Sequence, residues 1–294
     1  MIYMIMCFVI LCGVPTYLSL SSDRCCQISQ QESPRYKLLK TGIRSTQTVL
    51  SRKQVPDLAD CIKFAVSKKA LAFNFSNNIS SHGNSSQHHK REGLDNENCI
   101  LFECPELNNF TTITNDTRFK YYSMYRGDLM ICKYQLKLID NIYKIDLIYS
   151  NTFTAIGQVQ CIPKVGIFLL SMNKKNYTKA RESCQKLNGS LAHVVSEERT
   201  EGLAKLISES LTFFVGLSNR DKERIWTNEF NEPLDCFNYR AWGPREPTHS
   251  RGCVGLVQPE DLSMVYWKVL PCDLSTSYIC EIFPMQQRRS KVSS

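Results

Sequence analysis

The fold of this protein is decided by its C-terminal stretch, which contains FFVGL at 213–217, WGPREPT at 242–248 and YICE at 278–281. Four cysteines accompany these segments: Cys184, Cys253, Cys272 and Cys280. An apolar run from 165 to 170 predicts a short strand ahead of them. Spacing of apolar residues at one helical face predicts a helix over 177–187, ended by the pair at 188–189, Asn and Gly.

A second helix is predicted to start at Ser196. Glu197 and Glu198 would lie in its first turn, where a negative charge favours the positive end of the helix dipole. Leu203, Leu206 and Ile207 would form its inner face. The C-terminal region is therefore predicted to be α+β.

This string of residues resembles the C-type lectin domain over about residues 162–284. FVGL at 214–217 stands where that family has a W-I-G-L core strand. The resemblance implies two disulfides, Cys184–Cys280 and Cys253–Cys272. By the chain-entropy model, the longer closed loop is worth about 4–5 kcal/mol of stability.

Sugar binding in that family usually runs through one calcium ion held by several oxygen ligands. The resemblance places five ligand positions on Glu246, Thr248, Arg251, Lys268 and Val269. Of these five positions, only 246 still carries a residue, Glu246, that the family uses as a calcium ligand. Two fixed positive charges would repel a divalent cation, and one carboxylate does not compensate for them. We expect no metal and no cofactor at this site.

Two interpretations of the altered site stay open. In the first, the fold is kept and the site is inactive. In the second, Arg245, Arg251 and Lys268 make a basic face, beside Glu246 and Thr248, that binds an acidic or sulfated glycan or an acidic protein surface.

The N-terminal region resembles a PAN/apple-type domain over about residues 25–125. The resemblance rests on LADC at 58–61, AFNF at 72–75 and CIL at 99–101. It implies an α+β domain with one retained bridge, Cys61–Cys99. Ala65 and Ala70 stand at the two positions of a second family bridge, so that pair is lost together.

Length and composition agree with a two-domain extracellular protein. The chain has 294 residues, 14 cysteines and a formal net charge of +8. Collagen-like, coiled-coil and wholly disordered classes are excluded by this composition. Because the basic residues are dispersed along the sequence, we do not expect a nucleic-acid binder.

Residues 1–22 are predicted to be a signal peptide, so we expect a secreted protein whose other cysteines pair. An uncleaved signal anchor is the alternative. No later stretch reaches the roughly 20 apolar residues that span a bilayer. Seven sequons predict N-linked glycans, at Asn74, Asn78, Asn84, Asn109, Asn115, Asn176 and Asn188.

The remaining segments are predicted from composition and turn signals. Residues 76–98 read as a disordered loop and 285–294 as a basic disordered tail. A β-rich connector is predicted over 126–161, with a hairpin turning at the Asp-Asn pair 140–141 and Cys132 and Cys161 able to pin its ends.

The sequence offers no basis for catalysis. It has no G-x-S-x-G, H-E-x-x-H or G-x-x-x-x-G-K-[ST] motif. We therefore expect a non-enzymatic protein that binds an extracellular protein or glycan, for example in innate defence, cell adhesion or gamete contact. A structural extracellular-matrix component is the alternative. Oligomeric state stays open.

Overall fold

A computed structural model describes residues 35–77, 97–107, 110, 112–127, 137–139, 142–144, 157–207, 211–220, 225–259 and 264–285. The predicted signal peptide, most of the 76–98 loop and the basic tail lie outside these ranges. Within them, no helix is long and apolar enough to cross a membrane.

Fifteen strands and three α-helices are described. The strands are β1 Lys37–Ser45, β2 Val49–Lys53, β3 Ala72–Phe75, β4 Cys99–Phe102, β5 Ile113–Ser123, β6 Lys137–Ile139, β7 Ile142–Lys144, β8 Gln158–Ile162, β9 Gly166–Lys175, β10 Gly189–Leu191, β11 Thr212–Asn219, β12 Thr227–Asn228, β13 Gly252–Val257, β14 Tyr266–Leu270 and β15 Thr276–Ile282. The helices are α1 Leu58–Ser67, α2 Tyr177–Lys186 and α3 Glu197–Ala204. A 3-10 turn covers Leu234–Cys236.

The N-terminal sheet has five antiparallel strands in the order β1-β5-β3-β4-β2. Its central strands, β3 and β4, are buried along their whole length. Helix α1 covers one face of the sheet, where Phe73, Leu101 and Tyr122 form a core with the helix residues Cys61 and Ala65. A separate apolar cluster occupies the opposite face.

Local chemistry explains where α1 begins and how it is held. Asp57 caps its N-terminus, accepting a hydrogen bond from the Asp60 backbone N–H at 2.9 Å. The disulfide Cys61–Cys99, with Cα atoms 5.7 Å apart, joins the helix to β4. Ala65 and Ala70 are both buried, and the Ala70 N–H donates to the Ala65 carbonyl at 2.9 Å.

The C-terminal sheet contains six strands in the order β14-β13-β11-β15-β9-β8, with β10 paired to β15 and β12 paired to β11. Its pairings are antiparallel except for β11 with β15, which is parallel. Trp267, Phe213 and Ile279 are buried in one core beside α3, while Tyr177, Phe214 and Tyr278 are buried in a second core beside α2.

Both C-terminal helices start where the sequence predicts. Asn176 caps α2 by accepting from the Lys179 N–H, and Ser196 caps α3 by accepting from the Arg199 N–H. Asn188, which follows α2, adopts a φ of 58°, a left-handed conformation that ends the helix. The disulfide Cys184–Cys280 joins α2 to β15.

The two sheets are linked by a disulfide and by direct contacts. Cys104, just after β4, pairs with Cys161 on β8. The suggested Cys132–Cys161 pairing is therefore wrong, because the Cys161 sulfur is already bonded to the other sheet's chain segment. Tyr125 packs into the α2 core, and the Met285 N–H donates to the Met124 carbonyl at 2.8 Å.

The hairpin predicted inside the connector is present in the backbone. Strand β6 pairs antiparallel with β7, with Ile139 opposite Ile142. The Asp-Asn pair at 140–141 stands between the two strands, as the turn signal predicts. Cys25, Cys26 and Cys132 lie outside the described residues.

Candidate functional site

The candidate site is the loop of residues 243–251 together with the start of β13 and the exposed side of β14. The first end of the loop is fixed by the backbone of Trp267. Its backbone N–H donates to the Ala241 carbonyl at 2.6 Å, and its carbonyl accepts from the Gly243 N–H at 3.0 Å. A Cβ on residue 243 would lie 2.3 Å from the Tyr266 ring. Glycine at this position therefore allows the loop to leave the sheet against Tyr266.

The other end of the loop is fixed beside β11 and β14. The Asn219 side-chain amide donates to the Ser250 carbonyl at 2.7 Å. Gly252 follows with a φ of 156°, and a Cβ there would lie 2.5 Å from Val269 Cγ1. The disulfide Cys253–Cys272 closes this end, with Cα atoms 5.1 Å apart. Both loop ends are thus held by the sheet.

Glu246 is bound by the protein's own donors. One carboxylate oxygen accepts hydrogen bonds from the Thr248 N–H at 2.9 Å, the Thr248 hydroxyl at 3.2 Å and the Val269 N–H at 3.2 Å. The peptide bond between Glu246 and Pro247 is cis. The carboxylate therefore ties the loop to β14 across 23 residues of sequence.

Three cationic residues lie in the same loop as Glu246 or on β14. Arg245, Arg251 and Lys268 are all exposed, and Lys268 lies opposite Gly255 in the β13–β14 ladder. Arg245 has a φ of 64°, a conformation uncommon for a residue with a Cβ. Among described residues, none of the three forms an ion pair within 4.0 Å. Glu260 and Asp261 lie outside the described ranges.

The donor set at this site does not match a calcium ion. Calcium takes six to eight oxygen ligands, several of them carboxylates. Here Glu246 supplies one carboxylate that already accepts three hydrogen bonds, and the alkyl side chain of Val269 is buried. Arg251 and Lys268 carry the charge sign that a cation site excludes.

The sequon residues fall into contrasting environments. Asn74 is fully buried, its Oδ1 accepting from the Ser45 N–H at 2.8 Å and its Nδ2 donating to the Ile43 and Lys120 carbonyls. A glycan on Nδ2 is incompatible with this packing, so the sequence prediction for Asn74 is corrected. Asn115 and Asn188 are exposed. The others are distributed as follows: Asn176 is half-buried as the α2 cap, and Asn78, Asn84 and Asn109 lie outside the described residues.

One buried charged cluster was not found from sequence. His193 Nδ1 donates to a Glu281 carboxylate oxygen at 2.9 Å, and Arg199 pairs with the same oxygen. Burial by itself raises the pKa of Glu281, but the charges of Arg199 and His193 outweigh it and lower that pKa to about 2. The His193 ring stacks on Phe230 at 4.3 Å. The cluster joins β15 to the start of α3.

The sheet, the two helices and the two disulfides Cys184–Cys280 and Cys253–Cys272 define a C-type lectin fold of mixed α and β structure. The family model "Lectin C-type domain" matches residues 173–282. Residues 173–282 form a C-type lectin-like domain.

Curated relatives match the same region. C-type lectin domain family 6 member A of Mus musculus is 25% identical over 122 residues, covering 39% of this chain and 54% of that protein. A snaclec coagulation factor IX/factor X-binding protein of Echis carinatus is 28% identical over 117 residues, covering 37% and 85%. This chain thus spans about half the length of the mouse relative. The relatives indicate a recognition or binding role for the domain.

Two solved structures are similar to about two-fifths of this chain. Human lithostathine is 23% identical, with 40% of this chain and 91% of that chain covered and a TM-score of 0.35. The mouse scavenger receptor C-type lectin carbohydrate-recognition domain is 21% identical, with 40% and 89% covered and a TM-score of 0.35.

Proposed function

We propose that this protein is a secreted, non-enzymatic recognition protein that binds an extracellular protein or glycan through its lectin-like domain without calcium. The binding surface is the exposed loop 243–251 together with Lys268. One observation carries the proposal. The Glu246 carboxylate, which stands where the family places a calcium ligand, accepts hydrogen bonds from Thr248 and Val269 instead.

The disulfides support an extracellular location. The four described bridges join Cys61–Cys99, Cys104–Cys161, Cys184–Cys280 and Cys253–Cys272. Bridges of this number form and persist in oxidising compartments, and they are rare in the cytosol. Secretion of the chain is therefore part of the proposal.

The N-terminal sheet is proposed to be a PAN/apple-like module. Its helix α1 is bridged to β4 by Cys61–Cys99, as the resemblance implies. Ala65 and Ala70, the two positions of the lost family bridge, are neighbours at the end of α1, where the Ala70 N–H donates to the Ala65 carbonyl at 2.9 Å.

A second candidate ligand for the lectin-like surface is an acidic or sulfated glycan. Arg245, Arg251 and Lys268 favour it, because exposed guanidinium and ammonium groups pair with sulfate or carboxylate oxygens. A calcium-independent protein ligand remains the first candidate, and a matrix role would show as self-association with no glycan bound.

A glycan array and a pull-down from extracellular fluid, each run with calcium and with chelator, test the proposal. We expect binding that the chelator does not change. The Arg251→Gln/Lys268→Gln variant should lose it, whereas the matched control Lys179→Gln/Lys186→Gln, altered on exposed positions of α2, should keep it. Binding that requires calcium would overturn the proposal.

A further inference from the structure

The strand pair β1–β5 collects basic residues that are far apart in sequence. β1 carries Lys37, Lys40 and Arg44, and β5 carries Arg118 and Lys120. The antiparallel register places Lys40 opposite Tyr121 and Thr41 opposite Lys120. The two strands hold five cations and one acid, Asp116. These basic residues are dispersed along the sequence, but the pairing of β1 with β5 brings them together in the structure.

Aromatic rings hold three of these cations in place. The Lys40 ammonium lies 5.0 Å from the centroid of the Phe110 ring. The guanidinium carbons of Arg44 and Arg118 lie 5.6 Å and 5.7 Å from the centroid of Phe119. Cation–π contact restrains long side chains that otherwise lose freedom when a ligand binds. Their ordering lowers the entropic cost of binding an anion.

The rings that these three cations contact belong to one apolar cluster of the N-terminal sheet. Phe119 and Tyr121 belong to the apolar cluster on the face opposite α1, and Phe110 packs against that cluster. Phe110 meets the Tyr121 ring edge-on, with centroids 5.8 Å apart. Lys40, Arg44 and Arg118 therefore contact aromatic rings of the same apolar cluster.

The acidic groups near this face leave it basic. Asp116 accepts two hydrogen bonds from the Arg118 guanidinium, at 3.0 and 2.9 Å. The pKa of Asp116 is lowered chiefly by the Arg118 hydrogen bond and to a smaller extent by the charge of Arg44. Glu106 is only 1% exposed and accepts from the hydroxyls of Ser45 and Thr112. Its carboxylate is bound by these hydroxyls. Two carboxylates, Asp116 and Glu106, thus stand against the five cations of the strand pair, which leaves an excess of three positive charges.

We propose that the β1–β5 surface, through Lys40 and Arg44, binds a linear sulfated polysaccharide. Arg44 follows Lys37 by seven positions, which is roughly 20 Å of extended strand. Cations along such a length match a linear chain of repeated anions better than a single phosphate or carboxylate. Sulfate oxygens accept paired guanidinium hydrogen bonds. The disulfides favour the extracellular space, where sulfated glycans occur, over compartments that hold nucleic acid.

The test measures binding of the full chain to a heparin fragment, to the same fragment after desulfation, and to double-stranded DNA, at two salt concentrations. We expect tight heparin binding that weakens as salt rises, little binding to the desulfated fragment, and weaker DNA binding. The Lys40→Gln/Arg44→Gln variant should bind heparin about tenfold more weakly and show a smaller salt dependence.

Control variants separate this surface from total charge and from folding. Lys63→Gln/Lys68→Gln removes the same charge from the α1 side of the domain and should leave binding unchanged. Arg44→Lys keeps the charge and should keep most of the affinity. Because Asn115 lies opposite Ile43 and carries a sequon, Asn115→Gln is included, and it should not reduce binding.

Several results would overturn the proposal: equal loss in the α1-side control, equal affinity for DNA or desulfated heparin, or loss in Asn115→Gln. The proposal is independent of the lectin-like surface. Heparin binding lost in Arg251→Gln/Lys268→Gln, and kept in Lys40→Gln/Arg44→Gln, would assign the anion site to that other surface.

Discussion

The two sheets are both bridged from a helix to a strand, but the bridges close very different lengths of chain. Cys61–Cys99 spans a sequence separation of 38, whereas Cys184–Cys280 spans 96 and encloses most of the C-terminal sheet. A longer closed loop restricts the unfolded chain more. The N-terminal sheet therefore depends more on its core packing and polar contacts, and the lectin-like domain depends more on its bridge.

Removing each bridge gives the largest expected effects. The chain-entropy model predicts that the free energy of unfolding falls by about 4.7 kcal/mol in Cys184→Ala/Cys280→Ala and by about 3.9 kcal/mol in Cys61→Ala/Cys99→Ala. Chemical denaturation, followed by fluorescence and circular dichroism, measures both losses. If the α1 bridge proves the more costly to remove, the contrast between the two sheets is wrong.

Asn74 tests the polar contacts of the N-terminal sheet. Asn74→Ala leaves the Ser45 N–H and two carbonyls without this partner, so we expect a loss of about 3 kcal/mol in unfolding free energy. Asn115→Ala, altered at an exposed position, should change it by under about 0.5 kcal/mol. Glycopeptide mass spectrometry should find no glycan on Asn74; a glycan there would contradict the buried packing.

Glu281 tests the buried charges of the lectin-like domain. Its pKa of about 2 in the folded protein lies below the ordinary value of 4.5. The stability from this carboxylate is therefore present above the ordinary value and is lost as pH falls from 4.5 to 2.

Glu281→Gln should cost about 2 kcal/mol near neutral pH and should approach the wild type at pH 2. Urea denaturation across that range measures the convergence. Glu182→Gln, an exposed control on α2, should follow the wild-type curve. Parallel curves for wild type and Glu281→Gln would show that this carboxylate does not titrate as described.

Calcium should have the smallest effect. Because Glu246 is held by Thr248 and Val269, the Tm should be the same in excess calcium and in chelator. A ligand that binds only the folded state raises the Tm with its concentration. An upward shift in calcium would be evidence of a metal site and would require oxygen donors in addition to Glu246.

Much of the lectin-like domain could be predicted from sequence. The helix starts at Tyr177 and Ser196 follow from apolar periodicity and first-turn charge. In the connector, the hairpin of β6 and β7 follows from its turn residues. The bridge Cys184–Cys280 was implied by family resemblance, because spacing alone permits many pairings among the cysteines.

The long-range features could not be predicted. Cys104–Cys161 depends on how the two sheets meet, and the burial of Asn74 depends on carbonyls from β1 and β5. The cations on β1 and β5 come together only through strand pairing. The candidate site residues within 245–251 and at 268 could be named from the sequence. The hydrogen bond from the Val269 N–H to Glu246 could not, because it depends on the geometry of the loop.

The bond between Cys104 and Cys161 closes the chain between the sheets into a covalent loop. A single protease cut between residues 128 and 156 would leave the two halves covalently joined under oxidising conditions. After reduction, only noncovalent contacts such as the packing of Tyr125 and the Met285–Met124 hydrogen bond would hold them together. Tension applied across the two sheets would pass through the sulfur bond rather than through the intervening peptide. The length of that peptide can therefore vary without changing the distance over which the two halves are tethered.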